Sequence, residues 1–289
     1  MYVIFTDTDT DLTPKEAKEF GYHLISMPYS IGDDIVYPYE DFEEFDYHAF
    51  YDSLRKGVMP QTSGLSPERY KNYFEPFLKE GKDILYVHFS EAMSGTFAAM
   101  KVALNELKEQ YPDRTVYLLD TKGITIGSLN IVKEVGDMYK AGKSPEEILE
   151  WGKTEVDKFA IYFFAENLTF FRRSGRVSNI AGIMGNILGI HPIIHMGSDG
   201  MMKSVDKARG KKATLDKIMG YVDDLQEDIK DHRIIIAHTD SEDTAHLLGD
   251  MVKAKYGDDA RIEYVVTNPT AGSHCGPNGV GISFHAKHR

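Results

Sequence analysis

Cysteine is nearly absent from this sequence. Its 289 residues include a single one, Cys275. No internal disulfide can form, which favours a reducing compartment, and we therefore expect a cytoplasmic protein. The N-terminal "MYVIFTDTDT" has no basic region before its apolar stretch, so we predict no signal peptide. A chain of this length corresponds to one large or two ordinary domains, which can bury a full core without disulfides or metals.

Basic residues are also in the minority. There are 33 Lys and Arg against 45 Asp and Glu, a net charge of −12. This balance argues against nucleic acid as a general partner, because phosphates attract clustered cations. No apolar run approaches the roughly 20 residues of a transmembrane helix, although transient contact with a membrane surface stays open. The basic residues that are present cluster near 172–176 ("RRSGR") and 209–212 ("RGKK").

Several binding motifs are missing. No G-x-G-x-x-G follows the first strand-like run and no P-loop occurs, which disfavours dinucleotide and nucleotide-phosphate sites. No C-x-x-C pair exists, and we expect neither a cofactor nor a metal. The segment "TDTDTD" contains Asp7, Asp9 and Asp11 and is compatible with Mg²⁺, but it lacks the Gly and Glu of a calcium loop. A turn rich in helix caps is the preferred interpretation.

Strand-like and helix-like segments alternate along the first half of the chain. Helix starts are signalled by Thr13–Pro14, Ser66–Pro67 and Ser144–Pro145. This alternation predicts an α/β fold with a mostly parallel sheet and flanking helices. The pattern changes in the second half, so we predict an N-terminal domain over residues 1–155 and a C-terminal domain over residues 156–289.

Small polar residues follow four of the predicted strands. They occupy residues 6–11, 62–66, 90–96 and 120–128. Ligands of open α/β sheets bind beyond the carboxyl ends of strands, where helix N-termini offer free N–H groups to an anion. These segments therefore predict a site for a carboxylate or a phosphate, although each one alone could simply cap a helix.

Ser94 in "EAMSGTF" raises a second hypothesis. It is not in a G-x-S-x-G nucleophile motif, since Ala92 stands two residues before it. A hydrolase or acyl-transfer enzyme would also need a base, for which His274 in the predicted glycine-rich loop "AGSHCGPNGVG" is the best candidate. A lone loop histidine is more often a hydrogen-bonding residue.

A glycine-spaced apolar run extends from Ile180 to Ile194. It predicts either a core helix followed by a strand or one wall of an apolar tunnel. The residues of this candidate wall are Ile183, Ile187, Leu188, Ile190 and Ile194.

Taken together, the motifs resemble the DegV family of bacterial fatty-acid-binding proteins. The matching pieces occur in family order across nearly the whole chain: "FTDTDTDLT", "QTSGLSPERY", "EAMSGTFAAM", "LDTKGITIGSL", "FFRRSGRVS", "GNILGIHPII", "KARGKKA" and "AGSHCGPNGVG". The sequence departs from the usual "TSQPS" in reading "TSGLS", so Gly64 and Leu65 replace a polar residue and a proline. It also has "RRSGR" where "KKGGR" is more common.

The resemblance implies two α/β domains, the second of mixed topology, with one fatty acid in a tunnel between or beside them. It assigns the carboxylate site to the T-S and S-G-T motifs of the first domain and to the His274 loop of the second, which also carries the tunnel wall. The implied carboxylate-binding residues are Thr62, Ser63, Ser94, Gly95, Thr96 and His274. Such a protein has no catalytic residues of its own and is the binding subunit of a fatty-acid kinase. The partner kinase transfers phosphate from ATP to the carboxylate, and Arg172, Arg173 and Arg209 are candidate contacts with it.

Overall fold

The computed structural model describes residues 1–166, 168–178 and 189–289, and element numbers below count only the described strands and helices. In the first half of the chain, parallel strands alternate with helices. Four strands form a parallel sheet in the order β2-β1-β6-β7. They are β1 (Tyr2–Asp7), β2 (Tyr22–Ile25), β6 (Asp83–His88) and β7 (Val116–Asp120). The accompanying helices are α1 (Pro14–Phe20), α3 (Pro67–Lys79), α4 (Thr96–Gln110), α5 (Ile126–Lys140) and α6 (Pro145–Glu155).

A small antiparallel sheet is inserted between β2 and α3. Its strands are β3 (Tyr29–Ile31), β4 (Asp34–Val36) and β5 (Gln61–Thr62), and α2 (Tyr47–Arg55) precedes the last of them. Phe50, Tyr51 and Leu54 of α2 form a separate small core with Tyr29 and Phe170. This insertion places the Thr62–Ser63 segment against residues of the second half.

The second half builds a seven-stranded mixed sheet in the order β13-β12-β14-β8-β10-β11-β9. Its strands are β8 (Phe159–Phe164), β9 (Val177–Ser178), β10 (Ile190–Met196), β11 (Met202–Arg209), β12 (Ile234–His238), β13 (Ile262–Val266) and β14 (Val280–His285). The helices of this half are α7 (Thr169–Ser174), α8 (Lys211–Leu225), α9 (Glu242–Tyr256) and α10 (Pro269–Cys275). Side chains of α8 and α9 pack with those of β8, β12 and β14 in one core.

Helix α5 lies between the two large sheets. It is buried along most of its length, and its residues share one core with β1, β6 and β8. Gly127 lets it approach β8, because a Cβ there would come 3.1 Å from Cγ2 of Ile161. On the other side, the Tyr22 hydroxyl donates to the carbonyl of Val132 at 2.9 Å. The helix therefore joins the two halves through a continuous hydrophobic core.

The predicted α/β class, parallel first sheet and mixed second sheet are confirmed. So are the helix starts: Thr13, Ser66 and Ser144 each accept a backbone N–H from the first turn, and proline follows each of them. The strands of the seven-stranded sheet begin at Phe159, while the domain boundary at residue 155 stays a prediction. In the described part of the chain, every helix is too short or too polar to cross a bilayer.

One local prediction was wrong. His274 was placed in a glycine-rich loop, but it lies in the last turn of α10. The Asn268 side chain caps this helix by accepting from the Ala271 N–H, and Pro269 is its first residue. The loop was predicted because the glycines at 272 and 276 suggested irregular backbone, and the helix start at Asn268–Pro269 was not recognised.

Buried ion pairs also connect the two halves. Lys133 of α5 is 5% exposed and contacts Glu16 of α1 at 2.8 Å. It also contacts Glu263 of β13, which belongs to the other sheet. Because the ammonium is desolvated, its removal would leave two partly buried carboxylates without their counter-charge.

We therefore expect Lys133→Ala to lower the free energy of unfolding by about 3 kcal/mol. Urea unfolding measures the loss. The matched control is Lys153→Ala, which removes an exposed pair with Glu150 and should change stability by less than about 0.5 kcal/mol. Equal effects of the two variants would contradict a stabilising role for the buried pair.

Candidate functional site

A cavity of about 320 Å³ lies between the two large sheets. Both halves contribute to its wall: Phe89 follows β6, Ile161 and Phe163 belong to β8, and Val280 and Gly281 belong to β14. Its size falls in the roughly 300–1,000 Å³ range of small-molecule sites. The described apolar residues of the wall are Met27, Leu65, Phe89, Met93, Ile124, Ile126, Ile161, Phe163, Phe164, Ala165, Met202, Ala237, Ala271, Cys275 and Val280.

The structure brings the six residues of the predicted carboxylate site to this cavity. Thr62, Ser63, Ser94, Gly95, Thr96 and His274 all line it. Thr62 ends β5 of the small sheet and Ser63 follows it, the next three stand at the start of α4, and the last comes from α10. Their role in binding a carboxylate stays a prediction.

Thr62 and His274 form one connected pair. The Oγ1 of Thr62 lies 2.8 Å from Nε2 of His274. Burial, and secondarily the nearby charge of Arg176, lower the pKa of His274 to about 4. The imidazole is therefore neutral at physiological pH and acts here as a hydrogen-bonding group.

The start of α4 is organised by Thr96. Its Oγ1 accepts from the Leu65 N–H at 2.9 Å and shares a hydrogen bond of 2.9 Å with the Tyr70 hydroxyl. The loop before α3 is thereby fixed against α4, and a Cβ at Gly64 would come 3.1 Å from Cα of Thr96. A larger residue at position 64 would therefore require Thr96 to shift by a few tenths of an ångström.

Ser94 keeps its own hydroxyl proton available. Its Oγ accepts from the backbone N–H of Thr96 at 3.2 Å, so the O–H can donate to an acceptor in the cavity. The first turn of the 15-residue α4 adds a partial positive charge at the same place. A negatively charged oxygen would be stabilised here without a full cation.

Arg176 lines the cavity, which the sequence did not predict. It was recognised only as part of a basic cluster, but it lines the cavity, and its Nη1 donates to the Ser174 carbonyl at 2.5 Å. The feature that could have separated Arg176 from the other two arginines of "RRSGR" is its position after Gly175, which ends α7. Arg172, Arg173 and Arg209 are exposed instead.

The candidate tunnel wall is only partly covered by the structure. Ile183, Ile187 and Leu188 lie outside the described residues. Ile194 is fully buried in the hydrophobic core, and Ile190 is the first residue of β10. Neither of these two is among the described residues that line the cavity.

In the described residues, Ser94 and His274 are not paired as a nucleophile and its base. The Nε2 of His274 is hydrogen-bonded to Thr62, whereas the Oγ of Ser94 accepts from the backbone N–H of Thr96. Within the described ranges, no hydrogen bond joins Ser94 to His274. A nucleophile and its base need to be within hydrogen-bond reach.

Three aspartates are buried at the end of β1, beside the cavity. Asp7 accepts from the Tyr86 hydroxyl and the Phe89 N–H, and Asp11 accepts from both the backbone and the side-chain nitrogen of Asn268. Burial raises the pKa of Asp7 and of Asp11 to about 7 and raises that of Asp9 well above its ordinary value. The described residues contain no group of three acidic, His or Cys side chains arranged for a metal ion.

The fold and the cavity together define a two-sheet α/β protein with a ligand-sized cavity between its sheets. The chain belongs to the DegV family, because the model of that family, whose members are described as uncharacterised proteins, matches residues 1–287. A DegV domain-containing protein of Clostridium perfringens, CPE0026, is 32% identical over 284 residues, which cover 98% of this chain and 97% of that protein. The resemblance drawn from the motifs is confirmed.

Solved structures share the fold along its full length. A DegV family protein from Thermus thermophilus that was solved for its fatty acid binding has a TM-score of 0.86 at 23% identity and covers 99% of each chain. The Fak B3 protein of the Streptococcus pneumoniae fatty acid kinase, loaded with linoleic acid, has a TM-score of 0.83 at 19% identity and also covers 99% of each chain. At identities below 25%, these two comparisons establish that the proteins share a fold and nothing more.

The buried aspartates predict that stability falls as pH rises from about 3.9, the pKa of the unfolded carboxyl group, towards the raised pKa of the folded state. Over that interval the folded state holds protons that the unfolded state has lost. Several buried histidines with lowered pKa act in the opposite direction until their unfolded forms have lost their protons, which is nearly complete at about pH 7.5. Above that pH, Asp9 continues the decline because its pKa is raised well above its ordinary value, and we expect the free energy of unfolding to fall by about 1 kcal/mol between about pH 7.5 and 8.5.

Urea unfolding at constant ionic strength measures this slope. Asp9→Asn should reduce it, because one buried titrating group is removed. Asp259→Asn is the control, since Asp259 pairs with Lys230 at the surface. A stability that is flat or rising over this interval would contradict the assigned protonation.

Proposed function

We propose that this protein binds one long-chain fatty acid in the cavity and presents its carboxylate to a partner kinase that forms an acyl phosphate. The observation that carries the proposal is the grouping of uncharged donors from Thr62, Ser63, Ser94 and the start of α4 in one part of a mainly apolar cavity wall. Apolar walls suit an acyl chain, and grouped donors suit a carboxylate.

The acyl chain supplies most of the affinity. Each CH₂ transferred from water contributes about 0.8 kcal/mol, so a chain of a dozen or more carbons outweighs any single hydrogen bond. The head group must nevertheless be matched by donors, because an unmatched buried carboxylate would take up a proton. Its contacts therefore determine orientation and charge, and both matter to a kinase.

Neutral His274 fits this role through Thr62. With the proton on Nε2, the imidazole donates to Thr62 Oγ1 across their 2.8 Å contact. The Thr62 hydroxyl is then free to donate to the carboxylate, while Arg176 adds a positive charge in the cavity wall. The pair thereby stabilises the ionised acid, which is the nucleophilic form.

The comparisons support the ligand and the partner. The Thermus thermophilus relative is a fatty-acid-binding protein, and the Streptococcus pneumoniae relative is a fatty acid kinase protein loaded with linoleic acid. By this analogy the chemistry belongs to the kinase, and this chain needs neither a cofactor nor a nucleophile. A cytoplasmic location follows from the partner's use of ATP and agrees with the single cysteine, Cys275.

Ser94→Ala should weaken palmitate binding about tenfold, because a hydrogen bond to a charged group contributes about 1.5–3 kcal/mol. Displacement of a fluorescent fatty acid gives the affinity, and native mass spectrometry gives the stoichiometry of one. Ser144→Ala is the control: it removes the cap of α6, away from the cavity, and should lower stability without changing affinity. Wild-type affinity and normal phosphorylation of Ser94→Ala would exclude its role at the carboxylate.

Arg209 tests the kinase contact. It is exposed at the end of β11, and a docking surface for an acidic or phosphate-bearing partner needs accessible cations. Arg209→Glu should weaken kinase binding about tenfold or more at low salt and flatten its salt dependence.

The matched charge reversal is Lys153→Glu on α6, whose side chain is also exposed. It should leave kinase binding within about twofold of wild type. If both reversals behave alike, the kinase does not dock at Arg209. Palmitate affinity should be unchanged in both variants, which separates docking from ligand loading.

A further inference from the structure

Among the described residues that line the cavity, Asp9 is the one that carries a carboxyl group. It is 7% exposed and lines the cavity together with the predicted carboxylate site. Its Oδ1 has no hydrogen-bond partner among the described residues. A buried polar atom without a partner is costly, so native proteins retain one where a ligand or water completes it.

The two neighbouring aspartates differ from it. The Oδ1 of Asp7 accepts from the Asp9 N–H at 3.1 Å, and its Oδ2 accepts from the Tyr86 hydroxyl at 3.0 Å. Asp11 uses its Oδ1 to cap the Asn268 segment, and although its Oδ2 is unpartnered, Asp11 does not line the cavity. Of the three aspartates, and as far as the described residues show, Asp9 alone combines an unpartnered oxygen with a place in the wall.

The backbone holds Asp9 in place on both sides. Its N–H is fixed by Asp7, and its carbonyl accepts from the Thr125 N–H at 2.8 Å. Thr125 also lines the cavity and has φ of 51° and ψ of −131°, a conformation that non-glycine residues rarely adopt. Such outliers persist where the surroundings over-determine them, often at ligand sites.

The charges around Asp9 favour its acid form. Asp7 and Asp11 are on its own segment. From other elements, Tyr70 of α3, Tyr86 of β6 and Cys275 of α10 lie close enough for a charge on Asp9 to raise their pKa values. The first turn of α5 brings no titratable group, and no ion pair to Asp9 occurs in the described residues. Desolvation raises the pKa of Asp9 well above its ordinary value, so the group is a donor at neutral pH.

We propose that the carboxylic acid of Asp9 donates a hydrogen bond to the carboxylate of the fatty acid in the cavity. This inference rests on the proposed function and adds a head-group contact to it. The topology supports it, because β1 and β6 are neighbouring parallel strands, about 4.8 Å apart. Asp9 follows the carboxyl end of β1, and Ser94 follows that of β6.

Two carboxyl groups that face each other share one proton. The pair is stable while Asp9 keeps its proton, and it becomes repulsive when Asp9 ionises beside the bound carboxylate. Binding of the fatty acid should therefore weaken as pH rises, with Asp9 as the group responsible. Asp7 and Asp11 titrate nearby, so the effect has to be isolated by substitution.

The test compares wild type, Asp9→Asn and Asp9→Leu in palmitate binding between pH 6 and 9. The amide of Asn keeps a donor that does not ionise, whereas Leu has no donor and a similar size. At neutral pH we expect Asn within about twofold of wild type and Leu about five- to tenfold weaker. Wild-type affinity should fall with pH more steeply than that of Asn, and 1-hexadecanol, which lacks a carboxylate, should not distinguish wild type from Leu.

The outcomes separate this inference from the proposed function. If wild type binds no fatty acid, both fail. If wild type binds and Leu equals it at every pH, Asp9 makes no contact and only this inference fails. An equal loss for hexadecanol, or a loss only for acids with a hydroxyl on the chain, assigns Asp9 to the chain and overturns the head-group contact. Thermal unfolding of the three empty proteins checks that differences in affinity do not reflect differences in folding.

Discussion

The burial of α5 between the two sheets is the constraint on which the rest of the structure depends. The helix has almost no exposed face, so its polar residue Lys133 needs buried partners, and Gly127 and Gly136 allow the close contacts with Ile161 and Phe20. Because both sheets pack on one helix, the distance between them is fixed. The cavity occupies the space just beyond the N-terminus of that helix, where Ile124, Thr125 and Ile126 form part of its wall.

A site built mainly from uncharged donors follows from this burial. A full cation facing the carboxylate of the proposed ligand would itself have to be desolvated, and the cost often exceeds the Coulombic gain. Uncharged donors such as hydroxyls, backbone N–H groups and a neutral imidazole have a smaller desolvation cost than a cation. They can still donate a hydrogen bond to each oxygen of a carboxylate. The lowered pKa of His274 is therefore compatible with anion binding, since the ring acts through Thr62.

Much of the fold was predictable from local signals. The Thr–Pro and Ser–Pro pairs at residues 13, 66 and 144 identified helix starts because capping and proline geometry are local properties. The segments around Thr62 and Ser94 were noticed because small polar residues follow predicted strands, and the resemblance to the DegV family supplied the full set of candidate carboxylate residues, including His274. His274 was assigned to a loop because glycine content dominated its segment. The position of Arg176 in the cavity wall depends on packing between distant segments, which cannot be predicted from the spacing of residues in the sequence.

The buried aspartates show the limit of sequence reasoning more clearly. Asp7, Asp9 and Asp11 alternate in the sequence, which suggests equivalent surroundings. In the fold, Asp7 is matched by β6 and Asp11 by Asn268, while Asp9 faces the cavity with an oxygen unpartnered. Partners come from residues 79 to 257 positions away, so neither their presence nor their absence could be read from the motif. Three chemically identical groups thus have different surroundings, because distant segments donate hydrogen bonds to Asp7 and Asp11 and leave Asp9 to face the cavity.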